Sequence, residues 1–127
     1  MKKRLLFLVS LTIVAGCGDD STGPSKPPES TATKKIVQVQ NNSFSPKDLT
    51  VDSGDTVVWF NAGSAGHTTT SGGGCSPDGL WDSGGLGSGD SYSVVFGDAG
   101  VTQTGTIPYY CIPHCGTGMT GTVTVNP

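Results

Sequence analysis

The sequence is short of charge, of basic residues and of long apolar runs, and each shortage excludes something. Only 13% of its 127 residues are charged, while its 20 glycines are about twice the usual share. Such a chain does not make the long surface helices of a helical bundle. Seven Lys and Arg against ten Asp and Glu give a formal charge of −3, where a nucleic-acid binder needs a concentrated basic stripe. The longest apolar run, Leu5 to Ala15, rises about 16 Å as a helix, roughly half a hydrocarbon core, so it does not span a membrane. The length allows one domain. Histidine is confined to His67 and His114, and cysteine to Cys17, Cys75, Cys111 and Cys115. Each of these can be assigned singly.

Lys2, Lys3 and Arg4 stand before the apolar run, the order of a secretory signal. The run ends Val14-Ala15-Gly16-Cys17, a tetrad that resembles the lipobox of bacterial lipoproteins. The resemblance implies a lipoprotein signal peptide over residues 1–16 and acylation of Cys17 as the first mature residue. The alternative is an ordinary signal peptide with an incidental Cys17. Gly18, rather than Asp, after the cysteine favours an outer membrane where the cell has one. The protein is thus expected to be exported, periplasmic or on the cell surface, and lipid-anchored to a bacterial membrane; several acyl chains anchor stably where one is marginal. Residues 17–33 hold no aromatic or large aliphatic side chain, and read as a flexible linker that cannot bury enough surface to fold.

From Lys34 to Pro127 the pattern changes to short β-branched runs cut by Gly, Pro, Asn and Asp. Ile36 to Gln40 alternates apolar and polar, the period of a half-buried strand. Further runs are Leu49–Val51, Thr56–Phe60, Tyr92–Phe96, Gly105–Cys111 and Thr120–Val125. No stretch sustains a helical period, so residues 34–127 are expected to form a single all-β domain, a Greek-key sandwich. Its modest core is expected to rest on Phe44, Trp59, Phe60, Val94 and Phe96.

The chemistry concentrates in Tyr109-Tyr110-Cys111-Ile112-Pro113-His114-Cys115-Gly116-Thr117-Gly118-Met119, between two strand-like runs. His67 lies far upstream in a Gly-rich turn. A thiolate, two imidazoles and a thioether form the donor set of a blue-copper site, a trigonal His2Cys plane with a weak axial Met. Taken singly, a turn His is usually a surface residue, a Met before a strand is usually core, and a Cys in an exported protein is usually half a disulfide. Beyond the signal segment, however, two His and one Met are all the chain has, and all three fall where such a site needs them.

The domain resembles the plastocyanin-like cupredoxins over nearly all of its length after the linker. Phe44-Ser45-Pro46, Leu49-Thr50-Val51 and Gly54 to Trp59 resemble that family's first strands in order, and Gly89-Asp90-Ser91-Tyr92 resembles a later turn. The most specific piece is Tyr110-Cys111-x-Pro113-His114-x-Gly116-x-Gly118-Met119, followed by Gly121-x-Val123. The resemblance implies a cupredoxin-like fold and one copper ion, Cu(I) or Cu(II), held by His67, Cys111, His114 and Met119. It also implies that the Thr68 N–H supports the cysteine sulfur, that Asn61 locks a loop near the site, and that His114 is the part-exposed ligand passing electrons to a partner.

Cys75 and Cys115 depart from that pattern. Export into an oxidising space favours a Cys75–Cys115 disulfide, which stiffens the ligand loop and contributes roughly 3–4 kcal/mol on the chain-entropy model. A dinuclear purple-copper centre bridged by Cys111 and Cys115 is a rival, but Met119 stands where that centre needs a histidine. A free thiol or another metal arrangement is the third reading. The leading function is a one-electron carrier without enzymatic activity; the alternative is a module that stores or delivers copper. Oxidases and nitrite reductases built on related domains need further His-rich copper sites, and a Ser-His hydrolytic pair would need a ligand histidine. Removing Lys2, Lys3 and Arg4 leaves four basic residues against ten acidic ones, a net charge of −6. That charge steers a monomeric carrier to redox partners with a basic docking surface, such as a c-type cytochrome or a membrane electron-transfer complex.

Overall fold

The computed structural model describes residues 31–97 and 99–127. The expected signal peptide (1–16), Cys17 and the linker up to residue 30 lie outside them. Eight strands follow one another: β1 (Lys34–Gln40), β2 (Ser43–Ser45), β3 (Asp48–Asp52), β4 (Thr56–Asn61), β5 (Thr70–Ser71), β6 (Ser91–Val95), β7 (Gly105–Tyr110) and β8 (Thr120–Asn126). They form two four-stranded sheets in the orders β2-β1-β4-β6 and β3-β8-β7-β5. The chain therefore changes sheet between β2 and β3, and again at each step from β3 to β7. This interleaving leaves β1 parallel to β4 and β3 parallel to β8. The fold is a single β-sandwich, as the alternating runs predict. Among the described residues no helix is long and apolar enough to cross a membrane.

Side-chain period sets which residues are inside. In β1, Val37 and Val39 are buried while Gln38 and Gln40 face solvent, as a pleat with one wet face requires. In β4, Val57, Trp59 and Asn61 point inward, which turns Phe60 outward at 40% exposure. Phe60 is thus not a core residue, because its neighbour Trp59 occupies the inner face. Trp81 and Tyr109 take its place. Trp59 packs on both with ring centroids 5.5 Å apart, Trp81 meets Phe96 at 5.7 Å, and Tyr109 meets Phe44 at 4.7 Å. The Tyr109 hydroxyl donates to the Lys47 carbonyl at 3.0 Å, and burial raises its pKa far above the ordinary phenol value.

The end of the sandwich where β4 starts is closed by Asp55. Its carboxylate accepts from the Thr33 N–H (2.7 Å), the Thr33 hydroxyl (2.8 Å) and the Asp52 N–H (3.0 Å). The Thr56 N–H in turn donates to the Thr33 carbonyl at 2.8 Å. Thr33, at the end of the segment read as linker, is therefore tied into the domain.

Candidate metal centre

Three turns meet at the end of the sandwich where β4 and β7 finish and β8 begins. The first follows β4. Asn61, fully buried, donates from Nδ2 to the carbonyls of Ala65 (2.8 Å) and Leu86 (3.0 Å) and accepts the Gly63 N–H at Oδ1 (3.0 Å). One amide side chain thereby holds the turn that delivers His67. Leu86 grips His67 from the other side: the His67 N–H donates to the Leu86 carbonyl (3.0 Å), and the Leu86 N–H donates back (2.7 Å). Leu86 drew no attention in the sequence, although a lone leucine in the run Gly84 to Gly89 is the kind of apolar residue a glycine-rich loop keeps for packing.

The second turn is a 3₁₀ helix, Ile112–Thr117, with Pro113 in its first turn and Gly118 closing it at φ 86. Proline early and left-handed glycine late are the usual punctuation of a short helix, and that signal was there to read. The helix folds its residues back on one another. The His114 N–H donates to the Cys111 carbonyl (3.2 Å), the Met119 N–H to the His114 carbonyl (3.2 Å), and the Cys111 N–H to the Met119 carbonyl (3.0 Å). Cys111, His114 and Met119 are thus joined through three backbone hydrogen bonds.

The side chains converge accordingly. His67 Nδ1 lies 3.6 Å and His114 Nδ1 3.4 Å from Cys111 Sγ. One donor atom from each of the three residues falls within 4.8 Å of the others. Cys111, His67 and Met119 are buried, and His114 is partly exposed. The Thr68 N–H points at Cys111 Sγ from 3.4 Å, and the Thr68 hydroxyl accepts the Ile112 N–H at 2.8 Å. Burial, and after it the neighbouring His114, hold the His67 imidazole below the ordinary histidine pKa, which favours the neutral form that ligates a metal.

The third turn carries Cys75, which is disulfide-bonded to Cys115 with Cα atoms 5.8 Å apart. Cys115 is therefore not a second thiolate beside Cys111, which removes the bridging sulfur that a dinuclear centre requires. Cys111 is the free cysteine among the described residues. Cys17 lies outside them.

The sequence profile of the copper binding proteins of the plastocyanin/azurin family matches residues 32–126. The chain belongs to that family. It is 35% identical over 88 residues to the plastocyanin of Scenedesmus fuscus, covering 65% of this chain and 85% of that one. It is 34% identical over 90 residues to the chloroplastic plastocyanin of Oryza sativa subsp. indica, of which it spans 54%. Among solved structures it is similar to a purple cupredoxin from Nitrosopumilus maritimus, with a TM-score of 0.62, 27% identity, and coverage of 72% of this chain and 99% of that one. The residues present fit the family's metal. Two imidazole nitrogens and one sulfur in a largely buried cluster without a carboxylate suit one copper ion better than a hard cation.

Proposed function

We propose that the protein is a one-electron carrier built on a single mononuclear blue-copper site. His67 Nδ1, Cys111 Sγ and His114 Nδ1 would hold the ion, with the Met119 thioether as a fourth donor. The observation that carries this reading is the convergence of three donor atoms within 4.8 Å, held from outside by backbone hydrogen bonds. Copper supplies the one-electron couple between Cu(I) and Cu(II). The chain's contribution is rigidity: Asn61, Leu86 and the 3₁₀ helix fix the donors, so little rearrangement accompanies a change of charge. The Thr68 N–H supports the sulfur, and His114, the one donor residue that is partly exposed, is the exit for the electron. No enzymatic step is assigned to the site.

On the same reading the carrier is a monomer exported to a periplasm or cell surface. It is anchored through acylated Cys17 after loss of residues 1–16, with the linker from Cys17 as a tether that ends at Thr33, where the chain is already tied into the domain. Its partners are redox proteins with a basic face, a c-type cytochrome or a membrane electron-transfer complex. Loading the purified protein with Cu(II) tests the site. An intense thiolate-to-copper band, lost in Cys111→Ser, is expected, and a weak band with an ordinary tetragonal EPR signal would refute it. Rapid electron exchange with a c-type cytochrome, without metal transfer, distinguishes a carrier from a copper-delivery module.

A further inference from the structure

The outer face of the sheet β2-β1-β4-β6 is apolar where a solvated sheet is usually polar. The pleat that sends Val37, Val57 and Trp59 inward turns Ile36, Val58 and Phe60 outward. Across the β1–β4 ladder Ile36 stands opposite Val58, and Gln38 opposite Phe60. On the far side of β4, Val95 of β6 stands opposite Thr56. The large hydrophobic side chains exposed among the described residues are Ile36 (57%), Phe60 (40%) and Ile112. The first two share this face. Single exposed hydrophobics need no explanation, but neighbours on one flat face call for a contact.

Charge separates this face from the rest of the surface. Its four strands contain no Asp or Glu, and Lys34 is the charged residue that points outward. Lys35 turns the other way, to the Thr50 carbonyl and Asp55. Asp90, directly before β6, is bound into its own turn and accepts the Gly87 N–H at 2.8 Å. Beyond the signal segment the chain carries four basic residues against ten acidic ones, so most of its surface repels an anionic one. This face does not.

The chain enters the domain at the edge of the same face. β1 begins one residue after Thr33, which the Asp55 carboxylate holds. The linker expected over residues 17–33 has a coil reach of about 22 Å. The seven residues of β1 extend about 23 Å. A tether of that reach keeps a membrane within one strand length of the face, with enough slack for the face to lie on it.

We propose that this face is a lipid-contact surface. Ile36 and Phe60 dip into the headgroup region of the anchoring membrane, and Lys34 meets its anionic headgroups. The proposal rests on acylation of Cys17 and is independent of the copper reading. So small an apolar contact binds a bilayer weakly, but the tether makes it intramolecular and raises its effective concentration. The strands then lie along the membrane, and the ligand cluster at their end faces sideways, toward a redox partner on the same surface.

The test places a tryptophan on each sheet of the full acylated chain: Phe60→Trp on this face and Thr106→Trp on the exposed side of β7. Trp59 and Trp81 are buried, and the unsubstituted chain supplies their background. The vesicles contain phosphatidylglycerol and a phosphatidylcholine brominated on its acyl chains. Quenching of the added emission is at least about threefold greater in Phe60→Trp than in Thr106→Trp. Adding Ile36→Asp to Phe60→Trp cuts that excess by about threefold. Equal quenching at the two positions, weak or strong, overturns the proposal, since the domain then tumbles on its tether. Blue-shifted but unquenched emission in Phe60→Trp overturns it too, because a second copy then covers the face. Mass analysis of the mature N-terminus separates the two readings. An unacylated Cys17 removes the anchor and the proposal with it, whereas equal quenching on an acylated chain removes only the lipid contact.

Discussion

Replacing Cys75 and Cys115 together with Ser probes how the ligand loop is held. The disulfide spans a sequence separation of 40. Chain-entropy arithmetic for a loop of that length gives about 4 kcal/mol, most of it from the unfolded state. The folded state has little reason to change, because each end of the cross-link has its own attachments. On the Cys75 side, Ser71 Oγ donates to Asp78 Oδ1 at 2.5 Å and the Asp78 N–H donates to the Ser71 carbonyl at 3.0 Å. On the Cys115 side, Thr117 Oγ1 donates to Asn42 Oδ1 at 2.8 Å, beside the backbone hydrogen bonds that link Cys111, His114 and Met119. Urea unfolding of the copper-free protein is the assay. The variant is expected to lose about 4 kcal/mol, with a steeper denaturant dependence because its unfolded chain expands further. The melting temperature falls by at least about 15 °C. The thiolate-to-copper band survives, since Cys111 is not in the disulfide. A loss below about 1 kcal/mol with an unchanged slope would refute the entropic account. A collapse of the thiolate band would show that the loop depends on the cross-link rather than on the contacts named here.

Three further outcomes test the packing and electrostatics. A Cβ at Gly121 would collide with the Lys47 carbonyl and stand 2.5 Å from the Tyr109 ring, so Gly121→Ala should cost about 2–3 kcal/mol in thermal or urea unfolding. Trp59→Ala should cost about 3–5 kcal/mol, whereas Phe60→Ser, on the wet face of the same strand, should stay within about 1 kcal/mol; similar losses for the two would contradict the register of β4. Burial alone would raise the pKa of Asp55, but the Asp52 and Thr33 N–H groups, the Thr33 hydroxyl and nearby Lys35 outweigh it and hold the carboxyl below its ordinary 3.8. A depressed folded-state pKa stabilises the fold above the unfolded value and stops doing so as pH falls through the folded one. Acid titration of stability should therefore decline below about pH 4 in the wild type and more gently in Asp55→Asn, and parallel curves would remove Asp55 as the cause.

What could be read from the sequence, and what could not, follows from how rare each residue type is. Six strands were legible because β-branched runs alternate between turns, and each run contains or overlaps the strand it predicts. The two-residue β5 and three-residue β2 were not, being too short to show a period. Phe60 shows the limit of reading hydrophobicity without register. In Thr56–Phe60 every second residue goes inside, and composition does not say which of two adjacent aromatics that is. Trp81 was missed for the complementary reason, since it stands alone in a Gly- and Asp-rich loop and is buried only because that loop lies across Trp59 and Tyr109.

The cluster of His67, Cys111 and His114 was visible in advance because histidine and cysteine are scarce here, so position alone was informative. Leu86 is a different case, because a leucine in a glycine-rich loop says nothing about its partner. Its significance depends on one pairing, Leu86 opposite His67, with a backbone hydrogen bond in each direction. No spacing encodes that pairing; it arises only once the loop before β6 has folded back on the turn after β4. The groups that grip a metal are therefore written in residue identity, while the groups that hold them in place are written in topology.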